Sequence, residues 1–168
     1  PESVVNLLGG TRSAALKVLA FAKLCLAAGA ALFAQTCLAD AGVAWRLALA
    51  VACGYVYQGP PFRFSYLGLG EPLCFVAFGP LAVSAFYRAM LPAGAAGAAT
   101  GACAVCALLV GLTTTSILLC SHFHQEAGDR AIGKLSPVVR LGTANAFAAL
   151  AALVAMCYAS CAAAACLG

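Results

Sequence analysis

Charge is what this sequence has least of. Acidic and basic side chains make up 8% of its 168 residues, while 64% are hydrophobic, and the mean hydropathy is +1.01. Soluble domains carry about 25% charged residues, so a water-soluble fold is excluded. Only five residues are acidic and two are histidine, which leaves few places for metal or acid–base chemistry. The chain also lacks a soluble domain, a low-complexity linker and an internal repeat. Nothing in the charge pattern calls for a nucleic-acid partner.

The apolar residues come in long blocks, and a helix crossing the hydrocarbon core needs roughly 20 of them. The expectation is an all-α, polytopic transmembrane helical bundle in a lipid bilayer. Five spans are predicted, near residues 14–35, 41–57, 72–91, 93–119 and 144–167. The ten cysteines invite a disulfide or zinc reading. Cys103 and Cys106 form a CxxC, but inside the apolar run GACAVCALLVG and without a second ligand pair at zinc-finger spacing. They read as small hydrophobes that let helices approach closely.

Two polar stretches interrupt the blocks. Alternating the spans across the membrane places both on one side, together with Arg12, Arg63, Arg130, Lys134 and Arg140. The opposite side keeps Arg88, with Arg46 just inside the second block. By the positive-inside rule, the richer side faces the cytoplasm or its organellar equivalent.

The second polar stretch is SHFHQEAGDRAIGKLSPVVRLGT, residues 121–143. If the fourth helix continues past Leu119, then His122, Gln125, Glu126, Asp129 and Gly133 recur at three- and four-residue steps along one face. Such a face can hold a hard cation: Mg2+ takes oxygen ligands and commonly binds through one or two carboxylates plus substrate phosphate oxygens. Arg130, Lys134 and Arg140 follow and can balance phosphate charge. Carboxylates for a metal, then cations for phosphate, suit a site that ionises a diphosphate ester. The plainer alternative is a solvated basic loop, which needs no helical spacing of its acids.

The first stretch, YQGPPFRFSYLGLGE, reads as an ordered turn, stiffened by Pro60 and Pro61 and bent at Gly59, Gly68 and Gly70. Tyr57, Phe62, Phe64 and Tyr66 are interfacial anchors or the lining of a groove for an aromatic or isoprenoid substrate. Glu71 opens the next apolar block, where it caps a helix or meets substrate.

The motif HFHQ–EAGD–RAIGK–SPVVRLGT resembles the second aspartate-rich motif of the UbiA superfamily of membrane prenyltransferases. YQGPPFRFSYLGLGE followed by FVAFGPLAV resembles the middle loop and next helix of that family's 1,4-dihydroxy-2-naphthoate branch. PESVVNLLGG is similar to the segment just after its first aspartate-rich motif. The resemblance runs from residue 1 to about residue 143.

It implies a fold of about nine helices, of which five are present, and a plastid membrane, or a cytoplasmic or thylakoid membrane in a bacterium. It implies transfer of a prenyl or phytyl group from its diphosphate to 1,4-dihydroxy-2-naphthoate, on the way to phylloquinone or menaquinone, with Mg2+ as cofactor. The residues it points to are Asp129 as Mg2+ ligand with Gln125 and Glu126 in support. Lys134, Arg130 and Arg140 fall to the diphosphate, with Arg63 among the substrate-binding residues. His122, His124, Tyr57 and Tyr66 fall on the acceptor side. Position 125 is glutamine where most of the superfamily has aspartate, and the first motif lies ahead of Pro1. That leaves half a metal site.

Three rivals remain at this point. One is a non-catalytic membrane subunit, the second a family member with another aromatic acceptor. The third is a transporter, which predicts ionisable residues at mid-span. Only Lys23 and Arg46 could lie at depth in the apolar blocks.

Overall fold

Thr11 starts the first helix. Its side-chain oxygen accepts from the Ala14 N–H at 3.1 Å, satisfying one of the donors that every helix leaves open at its N-terminus. Helix α1 then runs over Arg12–Ala39, and the chain becomes extended at Asp40. Its 28 residues span about 42 Å at ~1.5 Å per residue. Leu24, Leu26 and Phe21 on this helix stand well exposed, as side chains meant for an apolar surrounding do. The structure, a computed structural model, describes residues 8–92 and 101–167. Most of the stretch PESVVNLLGG lies outside them, as does the start expected for the fourth span.

The chain divides into two compact units, residues 1–41 and 42–168, and α1 is the helix of the first. The second begins with α2, Ala41–Gln58. A turn of 3₁₀ helix, Phe64–Leu67, follows between Arg63 and Gly68, both in the left-handed region. Helix α3 spans Gly70–Met90. Its middle, Ala77–Val83, widens into π-helix around Pro80, which has no N–H to donate to the regular ladder. The long helix α4 covers Gly101–Ala131. The short α5, Pro137–Leu141, and the final α6, Thr143–Leu167, complete the unit.

Helix α4 is the inner element, packed against α3, α5 and α6. Its approach to α3 depends on two glycines. A Cβ on Gly79 would sit 2.7 Å from the Ala107 carbonyl oxygen and 3.0 Å from Gly111 Cα. Small residues let backbones meet where lipid supplies no hydrophobic drive between helices. On the other flank, Leu119, Val138 and Ala146 form a core cluster with Phe123, Leu150 and Leu153 around it.

Among the described residues, four helices are long and apolar enough to cross a membrane, beside five spans expected over the whole chain. Helix α2 forms over the expected residues but is not among the four. Trp45, Arg46 and the polar end Tyr55–Gln58 dilute its 18 residues. The fourth helix does continue past Leu119, to Ala131, the condition under which His122, Gln125, Glu126 and Asp129 share a helical face.

Candidate functional site

The longer α4 puts His122 and Asp129 seven residues apart on one face, two turns from each other. Both are buried, at 3% and 5% exposure. His122 Nδ1 lies 3.2 Å from Asp129 Oδ2. The other ring nitrogen, Nε2, lies 3.2 Å from Glu71 Oε1, at the first turn of α3. Each nitrogen of the ring therefore faces a carboxylate oxygen, one from its own helix and one from its neighbour. Glu71 is itself 9% exposed, and its Oε1 makes no aligned hydrogen bond. The contact to His122 is thus an ion-pair approach rather than a directed bond.

The end of α4 brings a cation to the same carboxylate. Gly133, in the left-handed region at φ 71, reverses the chain. The Lys134 N–H then donates to the Asp129 carbonyl at 2.8 Å and the Gly133 N–H to Arg130 at 3.3 Å. This double bond pattern is the Schellman closure, which favours glycine where Cβ would clash. It folds Lys134 back over the last turn, where Nζ donates to Asp129 Oδ1 at 3.1 Å. One carboxylate is thereby held between an imidazole and an ammonium. Two carboxylates, one ammonium and one imidazole share the buried cluster. Charges so placed are tolerated only when paired.

The two polar stretches are joined by backbone. The Leu135 N–H donates to the Tyr66 carbonyl at 2.9 Å, and Arg140 Nη1 donates to the Leu67 carbonyl at 2.9 Å. Gly68 makes this junction possible: at φ +70, a Cβ there would stand 2.6 Å from the Leu135 carbonyl oxygen. The two stretches thus meet through hydrogen bonds. Arg140, expected to bind diphosphate, spends at least one nitrogen on the junction.

The other expected residues divide. Tyr57 is partly buried, its ring 2.8 Å from where a Cβ on Gly70 would stand. Its neighbours Cys53, Leu73, Cys74, Phe78 and Leu118 line with it an apolar cavity of about 240 Å3. Leu73 and Cys74 lie within a turn of Glu71, and Leu118 one turn before His122, so the cavity adjoins the ion cluster. Arg63 lies over the Tyr66 ring at 5.8 Å, and Arg63 is exposed.

Glu126 turns away from Asp129. Its Oε1 pairs with Arg130 Nη2 at 2.8 Å, and its Oε2 accepts from Thr143 Oγ1 at 3.3 Å, linking α4 to the start of α6. Gln125 and His124 are exposed. The expected ligand set of Asp129, Glu126 and Gln125 is therefore not gathered. Among the described residues, no three His, Cys, Asp or Glu side chains converge as a metal site.

Sequence reasoning weighed Glu71 as a cap or a substrate contact and missed it as partner of His122. The 50 residues between them carry no signal of that contact. The only hint is an acid opening an otherwise apolar helix.

Comparison with known proteins places this geometry. The profile of the UbiA prenyltransferase family matches residues 11–168. The chain is 48% identical over 153 residues to the chloroplastic 2-carboxy-1,4-naphthoquinone phytyltransferase of Arabidopsis thaliana, covering 84% of this chain and 37% of that relative. It is 48% identical over 97 residues to the 2-carboxy-1,4-naphthoquinone phytyltransferase of a Synechocystis species, covering 58% of this chain and 30% of the relative. Against the 1,4-dihydroxy-2-naphthoate octaprenyltransferase of Mycobacterium tuberculosis it is 30% identical over 145 residues, 84% of this chain and 47% of the relative. The matched stretch thus spans less than half the length of each of these relatives. No solved structure matches. A helical membrane chain whose family profile runs from residue 11 to residue 168, with its buried ions gathered at the expected motif, belongs to the UbiA prenyltransferase family.

Proposed function

We propose that the protein transfers a prenyl or phytyl group from its diphosphate to a 1,4-oxygenated 2-naphthoate in a plastid membrane. The observation that carries this reading is Asp129, a buried carboxylate held between His122 and Lys134 beside an apolar cavity. The names of the relatives support the two substrate classes, and the chloroplastic relative supports the compartment.

Transfer breaks the C1–O bond of the donor, and diphosphate leaves with the electron pair. The ring carbon bearing the carboxylate attacks C1, and loss of that carboxylate as CO2 restores the aromatic ring. Attack needs an electron-rich ring, which favours the hydroquinone, 1,4-dihydroxy-2-naphthoate, over the quinone as the reacting form.

Asp129 fits Mg2+ as one ligand of a larger set. Its oxygens each use one lone pair on His122 or Lys134, and a carboxylate oxygen has a second to offer. Mg2+ accepts one or two carboxylates when waters and phosphate oxygens complete its octahedron. Bound there, it would neutralise charge building on the departing diphosphate. Lys134 is the nearest cation of this chain to meet the same group. Arg130, 61% exposed at its side chain, can reach it from the surface. Tyr57 and the cavity beside it suit the flat acceptor or the first carbons of the prenyl chain.

The test is Asp129→Asn in the protein as its gene encodes it, reconstituted with phytyl diphosphate, Mg2+ and 1,4-dihydroxy-2-naphthoate. The reading expects Mg2+-dependent prenylation to collapse. A near-normal rate would overturn it.

A further inference from the structure

We infer that Glu71 is a positioning residue for the diphosphate site: through His122, it fixes the carboxylate of Asp129 in the orientation that receives a metal–diphosphate. The inference rests on the function proposed above and adds to it a residue from the other polar stretch.

Three observations support it. Glu71 sits where a helix N-terminus would attract a carboxylate, yet its Oε1 makes no hydrogen bond to its own helix. It is instead buried to 9% exposure, with Oε1 turned to His122 Nε2 on α4 at 3.2 Å. His122 in turn has its opposite nitrogen 3.2 Å from Asp129 Oδ2. An imidazole bonded at one nitrogen alone has freedom to tilt, whereas a carboxylate packed 3.2 Å from the other nitrogen, from a separate helix, narrows that freedom. Asp129 Oδ2 is then fixed by the ring and Oδ1 is presented on the Lys134 side, away from Glu71. The α3 backbone is anchored at the same place, since the Thr115 hydroxyl of α4 reaches the Glu71 carbonyl at 3.5 Å. Residues that orient a ligating group from behind commonly matter nearly as much as the ligand.

The experiment is calorimetric binding of inorganic pyrophosphate with Mg2+ to the detergent-solubilised protein as its gene encodes it, paired with steady-state KM values for both substrates. Glu71→Ala is expected to weaken Mg2+-dependent pyrophosphate binding about 10- to 100-fold and to raise KM for the prenyl diphosphate, with KM for the naphthoate unmoved. Glu71→Gln keeps the length of the side chain but not its charge and should weaken binding, by less than alanine does. His122→Asn keeps a donor for Asp129 but cannot reach Glu71. In that background Glu71→Ala should cost nothing beyond about twofold.

Equal losses of Glu71→Ala in both backgrounds would overturn the inference, as would equal loss of affinity for both substrates. Should the alanine variant fail to fold, Glu71→Asp, one methylene short of the ring, reads the same loss. Unchanged pyrophosphate binding in that variant overturns the inference as well. If the unsubstituted protein binds no pyrophosphate with Mg2+, the functional reading itself fails, a result distinct from any difference among variants.

Discussion

Helices α4 and α6 are both long and built largely from Ala, Leu, Val and Cys, yet they bury very different shares of themselves. Along α4, Cys103, Ala107, Gly111, Thr115 and Leu119 are buried at four-residue steps, and the stripe continues into His122 and Asp129. Along α6, Ala146 is buried while Phe147, Met156 and Tyr158 stand exposed. Four-residue steps form a ridge that packs into a neighbour's groove. On α4 that ridge changes character along its length, from small residues that admit α3, through a threonine, to an ion pair. One inner helix thus carries both the packing seam and part of the candidate site. A defect in the seam should therefore be felt at the site, whereas α6 offers positions where the same change is nearly silent.

The hardest break of this contrast is His122→Ala. It leaves Glu71 and Asp129 facing each other's field without the ring between them. Leaving a buried polar group without its partner costs about 1–3 kcal/mol, and more where the group is a carboxylate, so the thermal midpoint in a fixed detergent should fall sharply. Phe147→Ala on α6, whose ring is 64% exposed, should stay within about 0.5 kcal/mol. Similar losses for the two would erase the distinction between the helices.

Next in size is Gly79→Leu. Its Cβ would meet the backbone at Ala107 and Gly111, which cannot yield as a side-chain end does. Overpacking of this kind costs about 1–3 kcal/mol, and Ala151→Leu on the exposed face of α6 should cost far less. The same unfolding measurement decides. Because Gly79 and Glu71 share α3, the glycine variant should also lower prenylation more than its stability loss alone explains.

Gly68→Ala comes third. Alanine at φ +70 carries the left-handed penalty of about 1–2 kcal/mol and its methyl would crowd the Leu135 carbonyl. The junction between the two polar stretches should loosen, read as faster amide exchange at Leu135. Unchanged exchange there would mean that the Tyr66–Leu135 bond does not depend on the glycine.

What could be read from the sequence follows from how locally each feature is encoded. The ends of α2, α3 and α6 fall within two residues of expectation, because apolar composition changes abruptly there. The apolar block of α4 ends at Leu119, but the helix itself reaches Ala131. Hydropathy stops at the first charged run, whereas the helix runs on because His122 and Asp129 find partners inside the fold. The face shared by those two was legible, since seven residues make two turns. The return of Lys134 onto Asp129 was not legible, because Gly133 reads as one more position on the helical face rather than as the reversal that ends it. Nor was the partnership of Glu71 with His122, because it is created only when α3 packs on α4. The short α5 was missed for a similar reason: five residues between Ser136 and Gly142 carry too little period to identify.

The smallest expected effect separates the two cations. Arg130 is mostly exposed and pairs with Glu126 one turn away, while Lys134 is 13% exposed at its side chain and bonded to Asp129. Exposed pairs contribute about 0.2–1 kcal/mol, so Arg130→Gln should barely move the thermal midpoint. Lys134→Gln leaves Asp129 with one polar contact in place of an ammonium and should move it further. If both cations meet the diphosphate, both substitutions raise KM for the prenyl donor. The Arg130 variant should then lose donor affinity at almost unchanged stability. A Lys134 variant that lost stability but kept full donor affinity would make that lysine a structural counter-ion of Asp129 and leave Arg130 as the cation that reaches substrate.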